Sequence, residues 1–224
     1  MPLRPKLLSD IQSVLGKALP TSLTAVSDAS DLYEAYLFSL ICQAARNEGG
    51  AVEFRSIGSA TPATFVFRTS PGYIGSTNKD YGYATIEFQN KPILEAHLGV
   101  RVTGASQVLH ECDVCVLLQD EADLCRNSAG SVAPRGAKVI ISIEAKFYDS
   151  SLGLGLGRGF LGFTMDVPAD KAFFVVNRTA QSIEKLLSHK KRLWEHNIQA
   201  QNTTDVNRLQ YAFQTAFKDF KAKY

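Results

Sequence analysis

Glu144 and Lys146 stand two positions apart at the end of the run Lys138–Tyr148, KVIISIEAKFY. From Val139 to Ile143 the run has the length and β-branched composition of a strand buried on both faces. Side chains alternate along a strand, so Glu144 and Lys146 point to one side while Ala145 turns away. Upstream, HECDVCVLL from His110 to Leu118 carries a second carboxylate, Asp113, beside an apolar run able to pair with the first. Neighbouring strands would bring Asp113 and Glu144 to one cation-sized gap with Lys146 alongside. Mg²⁺ suits such a gap, because it takes few carboxylates and keeps several waters and substrate phosphate oxygens. The ion polarises a phosphoryl oxygen and lowers the pKa of a bound water, while the lysine orients or deprotonates the nucleophile or stabilises charge building on the phosphate. An ordinary ion pair at a strand end is the competing reading of E-x-K taken alone.

An acidic residue at the start of one strand, followed by a strand that closes in E-x-K, resembles the PD-(D/E)xK phosphodiesterase superfamily, which has the restriction-endonuclease-like fold. The resemblance covers roughly residues 31–178, with Cys112 where the family places a proline and a long gap between Asp113 and Glu144. It implies an additional glutamate from the first core helix, and Glu34 in DLYEAYLFSLICQAA is the matching position. It also implies a polar residue on the helix after the E-x-K strand, for which Arg158 is the candidate, as a phosphate clamp. A homodimer is a further implication, since duplex DNA has two strands to cut.

Several elements must position these residues. Leu7, Leu8, Ile11, Val14, Leu15 and Leu19 recur at helical spacing until Pro20. A second helix, capped by Ser27 or Ser30, runs to Gly49 and Gly50 and carries Glu34 near its start, where the helix dipole favours an acid whether or not it meets a metal. AVEFRSI, ATFVFRTSPG and YGYATIEFQN read as strands and turns, with Arg68, Tyr73, Lys79, Tyr81 and Tyr83 available to bases and phosphates or simply half-buried on a sheet. Two strands joined around Gly104–Gln107 lead into Asp113, with Glu111 on the face of Asp113, within reach of the metal through water, and His110 pointing away. Gln119–Gly136 reads as a polar loop. Cys112 and Cys115 have C-x-x-C spacing but alternate faces in an extended strand, so with Cys42 and Cys125 they read as buried thiols.

Gly157–Gly162 fits G-x-G-x-x-G, yet about ten residues separate it from the preceding strand, where a dinucleotide fingerprint follows directly. The alternative is a bare helix face, with Gly153, Gly155, Gly157 and Gly159, packed close on the sheet. KAFFVVNR is a further buried strand. SIEKLLSHKKRLWEHNI then reads as an amphipathic helix with Lys185, Lys190, Lys191 and Arg192 outward as candidate nucleic-acid contacts, and VNRLQYAFQTAFKDFKAKY as another whose stripe of Tyr211, Phe213, Phe217 and Phe220 is core or dimer seam.

With 224 residues, 45% hydrophobic, the chain can bury a full core and reads as one domain, with a core of about 31–178 and a helical C-terminal segment at 179–224. No apolar run is long enough for a bilayer span or a secretory signal, so a cytoplasmic protein is expected. The net charge of +2 divides unevenly, with nine Lys or Arg against four Asp or Glu in residues 178–224. That tail suits a polyanion as well as it suits a solvated face. The expectation is therefore a three-layer α-β-α sandwich around a central mixed sheet, acting as a Mg²⁺-dependent (Mn²⁺ as substitute) nuclease on double-stranded DNA. Asp113 and Glu144, with Glu34, would hold the metal, Lys146 would act on the nucleophile or transition state, and Glu111 would be secondary. Defence against foreign DNA enters by analogy with the family. The rival readings are a catalytically silent module binding nucleic acid or a protein through the same fold, and a nucleotide-binding protein using Gly157–Gly162.

Overall fold

The computed structural model describes residues 3–224. Seven strands form one mixed sheet in chain order: β1 (Ala51–Ser56), β2 (Gly82–Glu87), β3 (Leu94–Thr103), β4 (Leu109–Leu118), β5 (Val139–Lys146), β6 (Lys171–Val176) and β7 (Leu193–Glu195). From β1 to β5 neighbours run antiparallel, whereas β5, β6 and β7 run parallel. Parallel neighbours need crossovers, and helices α4 (Leu154–Asp166) and α5 (Gln181–His189) supply them.

Both faces of the sheet are covered, which explains why β5 and β6 read as nearly continuous apolar runs. On one side lie α1 (Leu3–Leu15), α2 (Ala29–Asn47) and α6 (Thr203–Lys223), packed on Ile141, Ile143, Phe173 and Val175. On the other lie α3 (Gln119–Asn127), α4 and α5, packed on Cys115, Leu117, Phe174 and Val176. The arrangement is an α/β sandwich of three layers. Helix α2 buries twelve of its nineteen residues, because α1 and α6 flank it while the sheet lies beneath. A helix clasped on three sides is a rigid mount for Glu34.

Four predicted elements differ from those observed. The polar stretch after β4 forms α3, and ATFVFRTSPG contributes only isolated bridges, Thr21 to Phe65 and Val66 to Tyr81. The basic amphipathic helix stops at His189, and Leu193–Glu195 becomes an edge strand after a turn at Lys191 with φ +52. On α6, Phe213, Phe217 and Phe220 are buried as core, whereas Tyr211 is 68% exposed. Among the described residues no helix is long and apolar enough to cross a membrane.

The hairpin of β3 and β4 turns over at one level. Leu98 and Val114 face each other and join the α1–α2–α6 core, yet Val100 and Cys112, the next pair of the same parity, join the opposite core. Between them stand Gly99, at φ +53, and Asp113, without a ladder pairing to each other. A left-handed residue bends the strand there, and glycine takes it without steric cost. The same turn brings Cys112 and Cys115 into one core, contrary to the alternation expected of a straight strand.

Candidate functional site

Ladder pairing between β4 and β5 ends at Val114 and Ile143. One residue further, the side chain of Asp113 replaces the main-chain partner: its Oδ2 accepts a hydrogen bond from the Ala145 N–H at 2.7 Å. The two strands therefore part around a buried carboxylate, 5% exposed. Into the gap reaches Lys146, whose Nζ lies 2.7 Å from Glu144 Oε1 and 3.4 Å from Asp113 Oδ2. Glu144 and Lys146 are both half-buried and sit beside Phe174 and Val176 of β6 in register. The strand alternation that predicted a shared side for them places them together at the end of β5.

Helix α2 and the outer half of β4 add further acids. Burial first, then the charges of Asp113, Asp31 and Glu111, raise the pKa of the Glu34 carboxyl to about 8 against the opposing pull of Lys146. Burial also raises Asp113, partly offset by Lys146 and the Ala145 N–H, while Glu144 and Glu111 add to the rise. Glu111, exposed at the rim, is raised by burial of its carboxyl and by Glu144, with Lys146 and Arg101 opposing. For Lys146 desolvation favours the neutral amine, but Asp113 and Glu144 outweigh it and hold the ammonium well above its usual range. Its two carboxylate partners thus hold Lys146 as a cation, placed to stabilise negative charge.

These carboxylates meet one committed lysine, and the charges of Glu144 and Glu111 make Asp113 harder to ionise, as that of Asp113 does Glu34. A divalent cation would remove that penalty, and the oxygen-only donor set suits a hard ion such as Mg²⁺ or Mn²⁺. Among the described residues no three His, Cys, Asp or Glu side chains stand close enough to cage a metal by themselves. Mg²⁺ does not require such a cage, since it binds through one or two carboxylates and completes its shell with water and phosphate oxygens.

The other predicted contacts make no ion pair with these acids among the described residues. Arg158 is exposed on α4 and makes no ion pair with the site acids among the described residues. Lys190, Lys191 and Arg192 are exposed where the chain enters β7, two strands from β5 and toward the opposite end of the parallel strands from Lys146. Arg68 is 5% exposed and its guanidinium lies 3.8 Å from the Tyr81 ring centroid, while Tyr83 stacks on His97, so these three are structural. The G-x-G-x-x-G stretch lies inside α4, and Gly157 packs on Ile183 of α5 instead of opening a helix beneath a phosphate. That geometry removes the dinucleotide reading.

Sequence reasoning missed Arg101, which lies directly across from Glu111 in the β3–β4 register. The only signal in the chain is the pairing register itself, which becomes visible once the turn around Gly104 is fixed. Compared with family models, curated proteins and solved structures, the chain has no match.

Proposed function

We propose that this protein is a divalent-metal-dependent phosphodiesterase acting on nucleic acid, DNA in the first place, with a restriction-endonuclease-like core. The observation that carries this reading is Asp113 closing the β4–β5 ladder onto the Ala145 N–H, which leaves Lys146 between two carboxylates at a parted strand pair. Asp113 and Glu144 would hold the ion, with Glu34 on α2 acting on it through a water of its shell and not as a third direct ligand; when bound the ion supplies Lewis-acid polarisation of the phosphate and a more acidic water. Lys146, fixed as an ammonium, stabilises the charge that develops on the phosphoryl oxygens. The Ala145 N–H fixes the Asp113 carboxylate so that it needs no reorientation when substrate arrives.

The test is cleavage of plasmid and linear duplex DNA in Mg²⁺ or Mn²⁺. Glu144→Gln and Lys146→Ala are each expected to lower the rate by about 10²-fold or more, the size of an electrostatic contribution to a transition state. Circular dichroism and thermal unfolding must show both variants folded. Tight duplex binding without cleavage under either metal would instead support the silent module.

A further inference from the structure

The site gathers carboxylates around a lysine already shared between two of them, so a phosphodiester strand approaching it meets net repulsion unless another cation is free to receive it. Arg101 fits that need by position. In antiparallel strands, residues directly opposite share a face with Cβ atoms about 4.5–5.5 Å apart, and Arg101 is opposite Glu111, two residues from Asp113. Among the described residues no carboxylate lies within ion-pair distance of its guanidinium.

A dedicated scaffold holds it. The Arg101 N–H donates to Gly72 O at 2.9 Å, and the Gly72 N–H donates to Gly99 O at 2.8 Å, which clamps the 68–74 segment onto β3 at its bend. The Tyr73 ring then lies 5.5 Å from the Arg101 guanidinium. Behind it, the buried Arg68 donates to Tyr73 O at 2.9 Å. A Cβ at Gly72 would meet Arg68 Nη1 at 2.6 Å, so a side chain there would displace that guanidinium from its place behind Tyr73. The buried Arg68 and the Gly72 main chain thus set one tyrosine beside an arginine that has no carboxylate partner among the described residues.

We propose that Arg101 is a substrate-positioning residue of this site, gripping a non-bridging phosphate oxygen of the bound strand through its planar guanidinium while Tyr73 holds the side chain in place, an assignment that rests on the phosphodiesterase reading above. A guanidinium presents paired N–H donors matched to phosphate, whereas an ammonium is a point charge. Its field already reaches the acids, since Arg101 opposes the rise in the Glu111 carboxyl. The Lys190–Arg192 run, at the opposite end of the parallel strands from Lys146, has no comparable placement.

The experiment measures anisotropy of a fluorescein-labelled DNA duplex across a salt series in Ca²⁺, with Mg²⁺ kinetics in parallel, for wild type, Arg101→Gln, Arg101→Lys and the exposed-site control Lys17→Ala. Arg101→Gln should weaken binding about tenfold and reduce the slope of log K against log salt by about one, the loss of one phosphate contact. In cleavage it should raise KM about tenfold and leave kcat within about threefold, whereas Arg101→Lys should restore most of the salt slope and only part of the affinity. Lys17→Ala should match wild type. A folded Arg101→Gln with unchanged affinity and slope overturns the assignment. Wild-type binding without cleavage in Mg²⁺ or Mn²⁺ overturns hydrolysis, yet the slope still decides Arg101; no wild-type binding overturns both.

Discussion

Asp113 does two jobs with one carboxylate, and they can be separated chemically. Its oxygen closes the β-ladder onto Ala145, while its charge is set against those of Glu34, Glu111 and Glu144. Asparagine keeps an acceptor oxygen of the same shape but removes the charge, so Asp113→Asn should fold and still lose its metal. Wild type is expected to gain stability with Mn²⁺ as RT ln(1 + [L]/Kd), about 1.4 kcal/mol at ten times Kd, or a Tm rise of about 3–5 °C for a chain of this size. Differential scanning fluorimetry should show that rise cut to about a third or less in Asp113→Asn, and an undiminished rise would remove Asp113 from the metal set. Glu144 and Lys146 were legible as neighbours because strand alternation holds over the three residues at the end of β5, and Asp113 because β4 pairs with β5, although alternation fails in β4 where Asp113 stands. Arg101 was not, because the bend at Gly99 and the 68–74 segment clamped over it are long-range features that no local pattern encodes.

Among the elements, the strongly periodic ones were readable and the short or polar ones were not. Helix α3 reads as QDEADLCRN, too polar to announce itself, and its tertiary anchors are Glu121 to Arg135 and Arg126 to Glu95, both far along the chain. Strand β7 has three residues and hangs on β6 alone. Helix α4 was foreseen, but its glycines divide differently from the expected sheet-packing face. A Cβ at Gly157 would lie 3.1 Å from Ile183 Cγ2 on α5, whereas at Gly155, Gly159 and Gly162 it would meet nothing within 4 Å. In a helix interior glycine costs about 0.5–1 kcal/mol against alanine through backbone entropy. Gly159→Ala should therefore raise Tm by about 1–3 °C in thermal unfolding, while Gly157→Ala gains less or loses stability by pushing α5 away. Equal gains at both positions would mean that the α4–α5 contact yields freely. A stabilised Gly159→Ala that no longer bound DNA would make this bare face a substrate approach.

At the scale of the whole molecule, the most costly burial is far from the candidate site, where Glu95 on β3 is fully enclosed. Its carboxylate accepts two hydrogen bonds from Arg126 at 2.8 and 2.6 Å and one from His97 at 2.8 Å, with Gln119 completing the shell. Tyr83 stacks on His97, and Asp123 shares Arg126. Desolvation alone would raise the Glu95 pKa, but His97 and Arg126 overcome it and bring it from 4.5 to about 2. Because the folded value is depressed, this group's stabilisation is complete above pH 4.5 and is lost as pH falls toward 2, about 3 kcal/mol over the whole interval. His97 acts in the same sense at higher pH. Burial lowers its pKa, with Glu95 opposing, so below about 6.5 the unfolded chain takes up a proton that the folded chain refuses. Against these two, the raised carboxyls of Glu34 and Asp113 bind protons more readily in the folded chain and add stability as pH falls toward 4.5. Urea unfolding between pH 7 and pH 3 should accordingly show a first stage in which His97 is opposed and a second, below pH 4.5, in which stability falls. Glu95→Gln should abolish the second stage at the expense of stability at pH 7, since Arg126 loses its buried counter-charge. If the variant keeps the wild-type acid limb, the α3–β3 tie does not govern acid stability; the carboxylates gathered between β4 and β5 cannot replace it as the source, because their folded values are raised and protonating them favours the folded chain.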